Sequence, residues 1–163
     1  MFSGTVPMII YYGVQMINSK FLLVTAFILS ALLSTITGTS WGAAGTIGVA
    51  IMGIAGGLGV SLPATAGAVV SGAFFGDKLS PLSDTTNLAP MAAGSELYEH
   101  IKHMLYTTIP TAIVSLIVYA IVGLTAHGDM ITPESVTLMM EQLDSMFKFN
   151  IVLLLPIVLV ITG

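Results

Sequence analysis

The stretch Gly76-Asp77-Lys78-Leu79-Ser80-Pro81-Leu82-Ser83-Asp84-Thr85-Thr86-Asn87 limits this chain more than any other, because it sets charges, hydroxyls and a proline inside membrane-grade sequence. A glycine-rich apolar run from Ala43 to Gly76 leads into it, and the next long apolar run begins near Tyr106. Backbone that leaves helical geometry at membrane depth has no water to bond, so it persists only where protein or a water-filled cavity surrounds it. Ionisable residues at such depth mark ion or substrate paths. The expected fold is an all-α integral membrane protein with a helix broken at this stretch, and the break is the expected binding place.

Composition supports the membrane reading. Only 7% of the 163 residues are charged and 55% are hydrophobic, against roughly 25% charged in soluble domains. Mean hydropathy is +0.99. The four basic residues are all lysines, which argues against nucleic-acid binding and against a polybasic lipid-binding patch. The absence of cysteine excludes disulfides and thiolate metal sites. Met1-Phe2-Ser3-Gly4 carries no positive charge, so no cleavable signal peptide is expected. The last apolar run, Ile151 to Gly163, is shorter than the about 20 residues of a spanning helix, and the chain reads as a fragment of a longer protein.

Along the chain, residues 1–20 read as the end of a preceding span. The apolar runs 21–36 and 43–60 are short for a hydrocarbon core of about 30 Å, and together they read as a re-entrant hairpin over 21–60 with a polar tip at 37–42. Two complete, tilted spans are the alternative. A broken helix is expected over 62–94, with a ladder of small residues (Ala64, Ala68, Gly72 and Gly76, flanked by Gly67 and Ser71) for close helix packing. Residues 95–105 form an amphipathic stretch that fits an interfacial helix. Residues 106–126 fit a span with Pro110 in its first turns. Thr132-Pro133-Glu134 starts another interfacial helix over 132–148, and 149–163 reads as a truncated span. Lysine placement puts 96–105 on the cytoplasmic side and 127–148 outside.

Asp84 is the first candidate for chemistry. A carboxylate at membrane depth requires a counter-charge, a proton or a cation, and Ser83, Thr85, Thr86 and Asn87 supply neutral oxygens of the kind that hard cations prefer. Desolvation raises a carboxyl pKa and a cation lowers it, so one group can trade a proton for sodium. The alternative for Asp84 is a helix cap beside an aqueous loop. Asp77 is a second candidate ligand, and Lys78 beside it suggests a local charge pair or a fixed positive charge at the cavity entrance. Thr37, Thr39 and Ser40 at the hairpin tip are expected to face residues 83–87 across a midplane site, with Trp41 as a headgroup anchor. Otherwise these hydroxyls only satisfy the backbone at a helix end. His100 and His103 share a helix face but have no third ligand nearby, and no enzyme motif or cofactor site is present.

Thr37-Gly-Thr-Ser-Trp-Gly-Ala-Ala-Gly-Thr-Ile-Gly48 and Gly72-Ala-Phe-Phe-Gly-Asp-Lys-Leu-Ser-Pro-Leu-Ser-Asp-Thr-Thr-Asn-Leu-Ala-Pro90 closely resemble the NhaC-type sodium/proton antiporters, as does His100-Ile-Lys-His-Met-Leu-Tyr-Thr-Thr-Ile-Pro110. The resemblance implies one half of an inverted-repeat transporter of the ion-transporter superfamily, multi-pass in a prokaryotic cell membrane. It implies sodium and protons as partners, with the lipid bilayer, the second half of the same polypeptide and a homodimeric copy. The function it implies is exchange of sodium for protons. The alternatives are a sodium-coupled organic-anion (malate/lactate) or amino-acid antiporter of the same family, and, in a different class, a passive channel or structural membrane subunit.

Overall fold

The computed structural model describes residues 18–125, and the elements among them are helices. The expectations for residues 1–17, for the interfacial helix over 132–148 and for the span over 149–163 lie outside the described residues. A 3-10 turn, Ser19–Phe21, is capped by Asn18, whose Oδ1 accepts from the Lys20 amide at 3.1 Å. It leads directly into α1 (Leu22–Thr37).

α1 ends where Gly38 turns left-handed, at φ 69°, with its N–H donating to the Ser34 carbonyl at 2.8 Å. Thr39 then caps α2 (Ser40–Leu58), its Oγ1 accepting from the Gly42 amide at 3.2 Å. Inside α2 the residues Ala44–Gly48 widen into a π-helix. α3 (Leu62–Leu79) carries Pro63 at its start, where the missing N–H is one that no helix bond would use. After a four-residue break come α4 (Asp84–Ala93) and the long α5 (Leu97–Thr125).

α1 and α3 run parallel, backbone against backbone. A Cβ added to Gly72 would collide with the Phe27 carbonyl, and one added to Gly76 would lie 2.9 Å from the Ala31 carbonyl carbon. Ala68, Gly72 and Gly76 are all buried, so this rung of the small-residue ladder is what lets the two helices approach. The Thr35 hydroxyl ties the seam, donating to the Ala31 carbonyl (2.8 Å) and lying 3.2 Å from that of Gly76. Ser71, on the flank of the ladder, faces α5 instead and shares a 2.9 Å hydrogen bond with the Tyr119 hydroxyl. α5 returns antiparallel, bringing Gly123 against the Lys20 carbonyl. Leu22, Leu23 and Ala26 of α1, Ile51, Ile54 and Ala55 of α2, and Ala68 and Val69 of α3 form the apolar core. The outer face of α5 (Ile113, Val114, Ile117, Val118, Ile121 and Leu124) is apolar and exposed among the described residues.

Two expectations change. Ser19–Thr37 and Ser40–Leu58 each reach 19 residues and are apolar enough to cross a membrane. At about 1.5 Å per residue each arm approaches the hydrocarbon thickness, so shortness no longer argues for a re-entrant hairpin. The interfacial helix over 95–105 and the span over 106–126 are one continuous 29-residue helix, with Pro110 near its middle. Polarity changes along this helix between His103 and Ile109, but a change of side-chain polarity does not end a helix. Around Pro110 the hydroxyls of Thr108 and Thr111 bond back to the carbonyls of Met104 (2.6 Å) and Thr107 (2.7 Å).

Candidate functional site

The break spans Ser80–Ser83, narrower than the polar stretch that signals it, because helix bonds continue through Asp77-Lys78-Leu79 and resume at Asp84. Pro81 has no amide to donate, which helps to end α3 here. The freed backbone is satisfied locally. Ser80 Oγ accepts from the Leu82 amide at 3.2 Å, and the Asn87 side-chain amide donates to the carbonyls of Pro81 (2.8 Å) and Ser83 (2.6 Å). Thr86, 1% exposed, donates its hydroxyl to the Asp77 carbonyl (3.1 Å), with that of Lys78 at 3.4 Å. Thr86 therefore fastens the first turn of α4 onto the end of α3, and Asn87 ties it to the break.

The two carboxylates fall in different places. Asp77 is buried, 4% exposed, on the inward face of α3 that also carries Thr65, Val69 and Ala73. Asp84 is exposed at the chain surface in the first turn of α4, and its Oδ1 accepts from the Thr85 amide at 2.8 Å. An acidic residue there also complements the positive end of the helix dipole. The Thr85 hydroxyl donates to Asp77 Oδ2 at 3.1 Å and lies 3.0 Å from the Ser83 hydroxyl. A hydroxyl has one proton and two lone pairs, so with the Thr85 proton on Asp77, Ser83 must donate to Thr85. The result is a directed chain, Ser83 to Thr85 to Asp77, ending on the buried carboxylate. Lys78 forms no ion pair among the described residues; the pair seen there is Lys102 with Glu99, at 3.0 Å on the exposed face of α5.

The hairpin tip reaches this break through Gly38. A Cβ at Gly38 would lie 2.7 Å from the Leu82 carbonyl carbon and 2.8 Å from its Cβ, so the two polar islands meet backbone to backbone. Trp41 secures the contact from the other side, edge-on to Phe74 of α3 at 6.4 Å between ring centres. Of the tip hydroxyls, Thr37 bonds the Leu33 carbonyl (2.9 Å) and Thr39 caps α2; both are exposed, while Ser40 is buried. The structure thus brings the tip and the break together, and gathers Asp77, Ser83 and Thr85 into one bonded group. Thr37 and Thr39 turn back to their own helices.

Three features escaped the sequence reading. One is the Thr35 bridge and another the π-helical Ala44–Gly48. The third is a pair of hydroxyls, Ser30 and Ser34, fully buried in α1 with no hydrogen-bond partner among the described residues. Spacing could have found the serines, since both fall on the face that carries Phe27 and Ala31. A π-helical insertion leaves no residue pattern to read.

The Na+/H+ antiporter family model matches residues 72–163, which include the break and α5. The chain belongs to the Na+/H+ antiporter family. A protein of Haemophilus influenzae described as an uncharacterized Na(+)/H(+) antiporter is 56% identical over 98% of this chain. The Na(+)/H(+) antiporter NhaC of Alkalihalophilus pseudofirmus is 42% identical over 99%. The malate-2H(+)/Na(+)-lactate antiporter of Bacillus subtilis is also 42% identical, over 97%. The chain spans about a third of the length of these curated relatives (34% of each). No solved structure matches it.

Proposed function

We propose that the protein containing this chain exchanges sodium for protons across the membrane, with Asp77 as the group that carries either ion. The observation behind this reading is the burial of Asp77 beside a helix break, with the Ser83–Thr85 hydroxyl chain ending on its carboxylate. A buried carboxylate is costly as a bare charge, so it holds a proton or a cation, and each displaces the other. One carboxylate with hydroxyl and carbonyl oxygens suits a hard monovalent cation. In this arrangement the hairpin tip closes the site from one side through Gly38, Asp84 stands at the rim, and the remainder of the polypeptide completes the ligand shell.

The experiment compares Asp77→Asn with Asp84→Asn in the full-length protein reconstituted into liposomes. Sodium uptake driven by an imposed pH gradient should vanish in Asp77→Asn and persist in Asp84→Asn with a weaker apparent affinity. Exchange that survives Asp77→Asn and fails in Asp84→Asn would move the titrating role to the rim. Adding malate or lactate tests a second reading, suggested by the relative named for those anions. On that reading, gradient-driven sodium movement would require the organic anion.

A further inference from the structure

We propose that the first half of α5 carries a seat for one phospholipid, a zwitterionic lipid whose headgroup ends in a primary ammonium, as in phosphatidylethanolamine. Lys102, Leu105, Tyr106, Ile109 and Pro110 line a groove of about 420 Å³ along this helix, within the about 300–1,000 Å³ of small-molecule sites. The sodium/proton exchange reading uses none of these residues.

The height of the groove in the membrane follows from how α1 and α5 pack. The two helices are antiparallel, and Gly123 abuts the Lys20 carbonyl just before α1. Lys102 precedes Gly123 on α5 by 21 residues (123 − 102), about 32 Å at about 1.5 Å per residue. A hydrocarbon core is about 30 Å thick, and no charged residue occurs from Met104 to Thr125. With Lys20 at one boundary of the core, Lys102 stands at the other. Tyr106, one turn further in and 76% exposed, has the amphipathic ring that settles at headgroup level. The groove therefore crosses the boundary, with its Lys102 end among headgroups and its Ile109–Pro110 end among acyl chains.

The charges along the groove follow the order of groups in such a lipid. Lys102 donates to Glu99 at 3.0 Å, with both side chains exposed (69% and 60%). An exposed pair of this kind is held weakly and opens readily to further charges. Glu99 lies three residues, about 4.5 Å, to the water side of Lys102. Going inward from water, α5 presents an anion, a cation and an apolar wall, whereas the lipid presents an ammonium, a phosphate and an acyl chain. The lysine ammonium has three donors, one on Glu99, and it gives another to the phosphate. The headgroup ammonium donates to the Glu99 carboxylate, and the chain lies along Leu105, Ile109 and Pro110. A choline headgroup has no N–H for Glu99, and a phosphatidylglycerol headgroup sets no cation opposite it. Recognition here rests on two opposite charges in order, not on a basic cluster, which this chain lacks.

The test is native mass spectrometry of the full-length protein in detergent, titrated with phosphatidylethanolamine, phosphatidylcholine or phosphatidylglycerol of identical acyl chains. The wild-type protein should retain phosphatidylethanolamine over each of the others by about threefold to fivefold, the scale of one exposed charged contact. Glu99→Gln should erase that preference, and Lys102→Ala should lose the retained lipid. Lys20→Ala, at the opposite boundary, should keep the wild-type pattern. Both groove charges are exposed, so neither variant disturbs the core. Equal retention of the three lipids by the wild type would reduce the groove to ordinary lipid contact and overturn the proposal. A preference that survives both Lys102→Ala and Glu99→Gln would overturn it by moving the seat elsewhere. No retained lipid at all, the result of another helix of the full-length protein filling the groove, would overturn it as well.

Discussion

Replacing Gly38 by alanine tests the junction on which the site depends. Two costs add. Gly38 sits at φ 69°, where an L-residue with a Cβ loses about 1–2 kcal/mol. The new methyl would lie 2.7 Å from the Leu82 carbonyl carbon, while carbon atoms rest at about 3.5–4.0 Å, so tip and break must part by about 1 Å. Overpacking of that size costs about 1–3 kcal/mol, for a total of roughly 2–5 kcal/mol. A shift of about 1 Å in a positioned group can cost on the order of a hundredfold in rate. The full-length Gly38→Ala protein should therefore melt several degrees lower in detergent and show sodium/proton exchange reduced by one to two orders of magnitude. Gly38→Asn isolates the second cost, because asparagine tolerates the left-handed region but brings the same Cβ. It should recover part of the stability and little of the transport. Wild-type exchange in Gly38→Ala, with an unshifted melting point, would show that the tip and the break do not work as one site.

Thr85→Val keeps the shape of the side chain and removes the hydroxyl that donates to Asp77 Oδ2 at 3.1 Å. The apparent affinity for sodium should weaken by roughly 1–3 kcal/mol, read from the sodium dependence of uptake; an unchanged affinity would take Thr85 out of the ligand set. Gly72→Leu should prevent assembly, since even a methyl there collides with the Phe27 carbonyl, and size-exclusion chromatography of the expressed protein reads the outcome. A monodisperse, active Gly72→Leu protein would mean that the α1/α3 seam is not as close as described.

Much of this fold can be read from the residues, and where the reading falls short the reason is physical. The glycine ladder at Gly72 and Gly76 announces close packing because few other residues let two backbones touch. The polar islands at 37–42 and 76–87 mark the candidate site because lipid tolerates neither without shelter, and the structure brings the two together at Gly38 and Leu82. That Asp77 and not Asp84 is the buried carboxylate was not foreseen, because Asp84 stands among hydroxyls in sequence, whereas burial follows helical period. Thr65, Val69 and Ala73 repeat every fourth residue, and the next position on that face is Asp77. Carrying the period through Gly76 would have placed Asp77 inside. The join between 95–105 and 106–126 was misjudged because hydropathy describes surroundings, not backbone continuity.

The seam between α1 and α3 also governs how this part of the protein moves. With the Phe27 and Ala31 carbonyls seated over Gly72 and Gly76, the seam behaves as a detent. An axial slide would lift each carbonyl off its glycine, and the next small-residue seat along α3 lies four residues away, about 6 Å. Gradual shear between these helices is closed off. A relative movement of this part of the chain is expected to carry α1 and α3 together in one register.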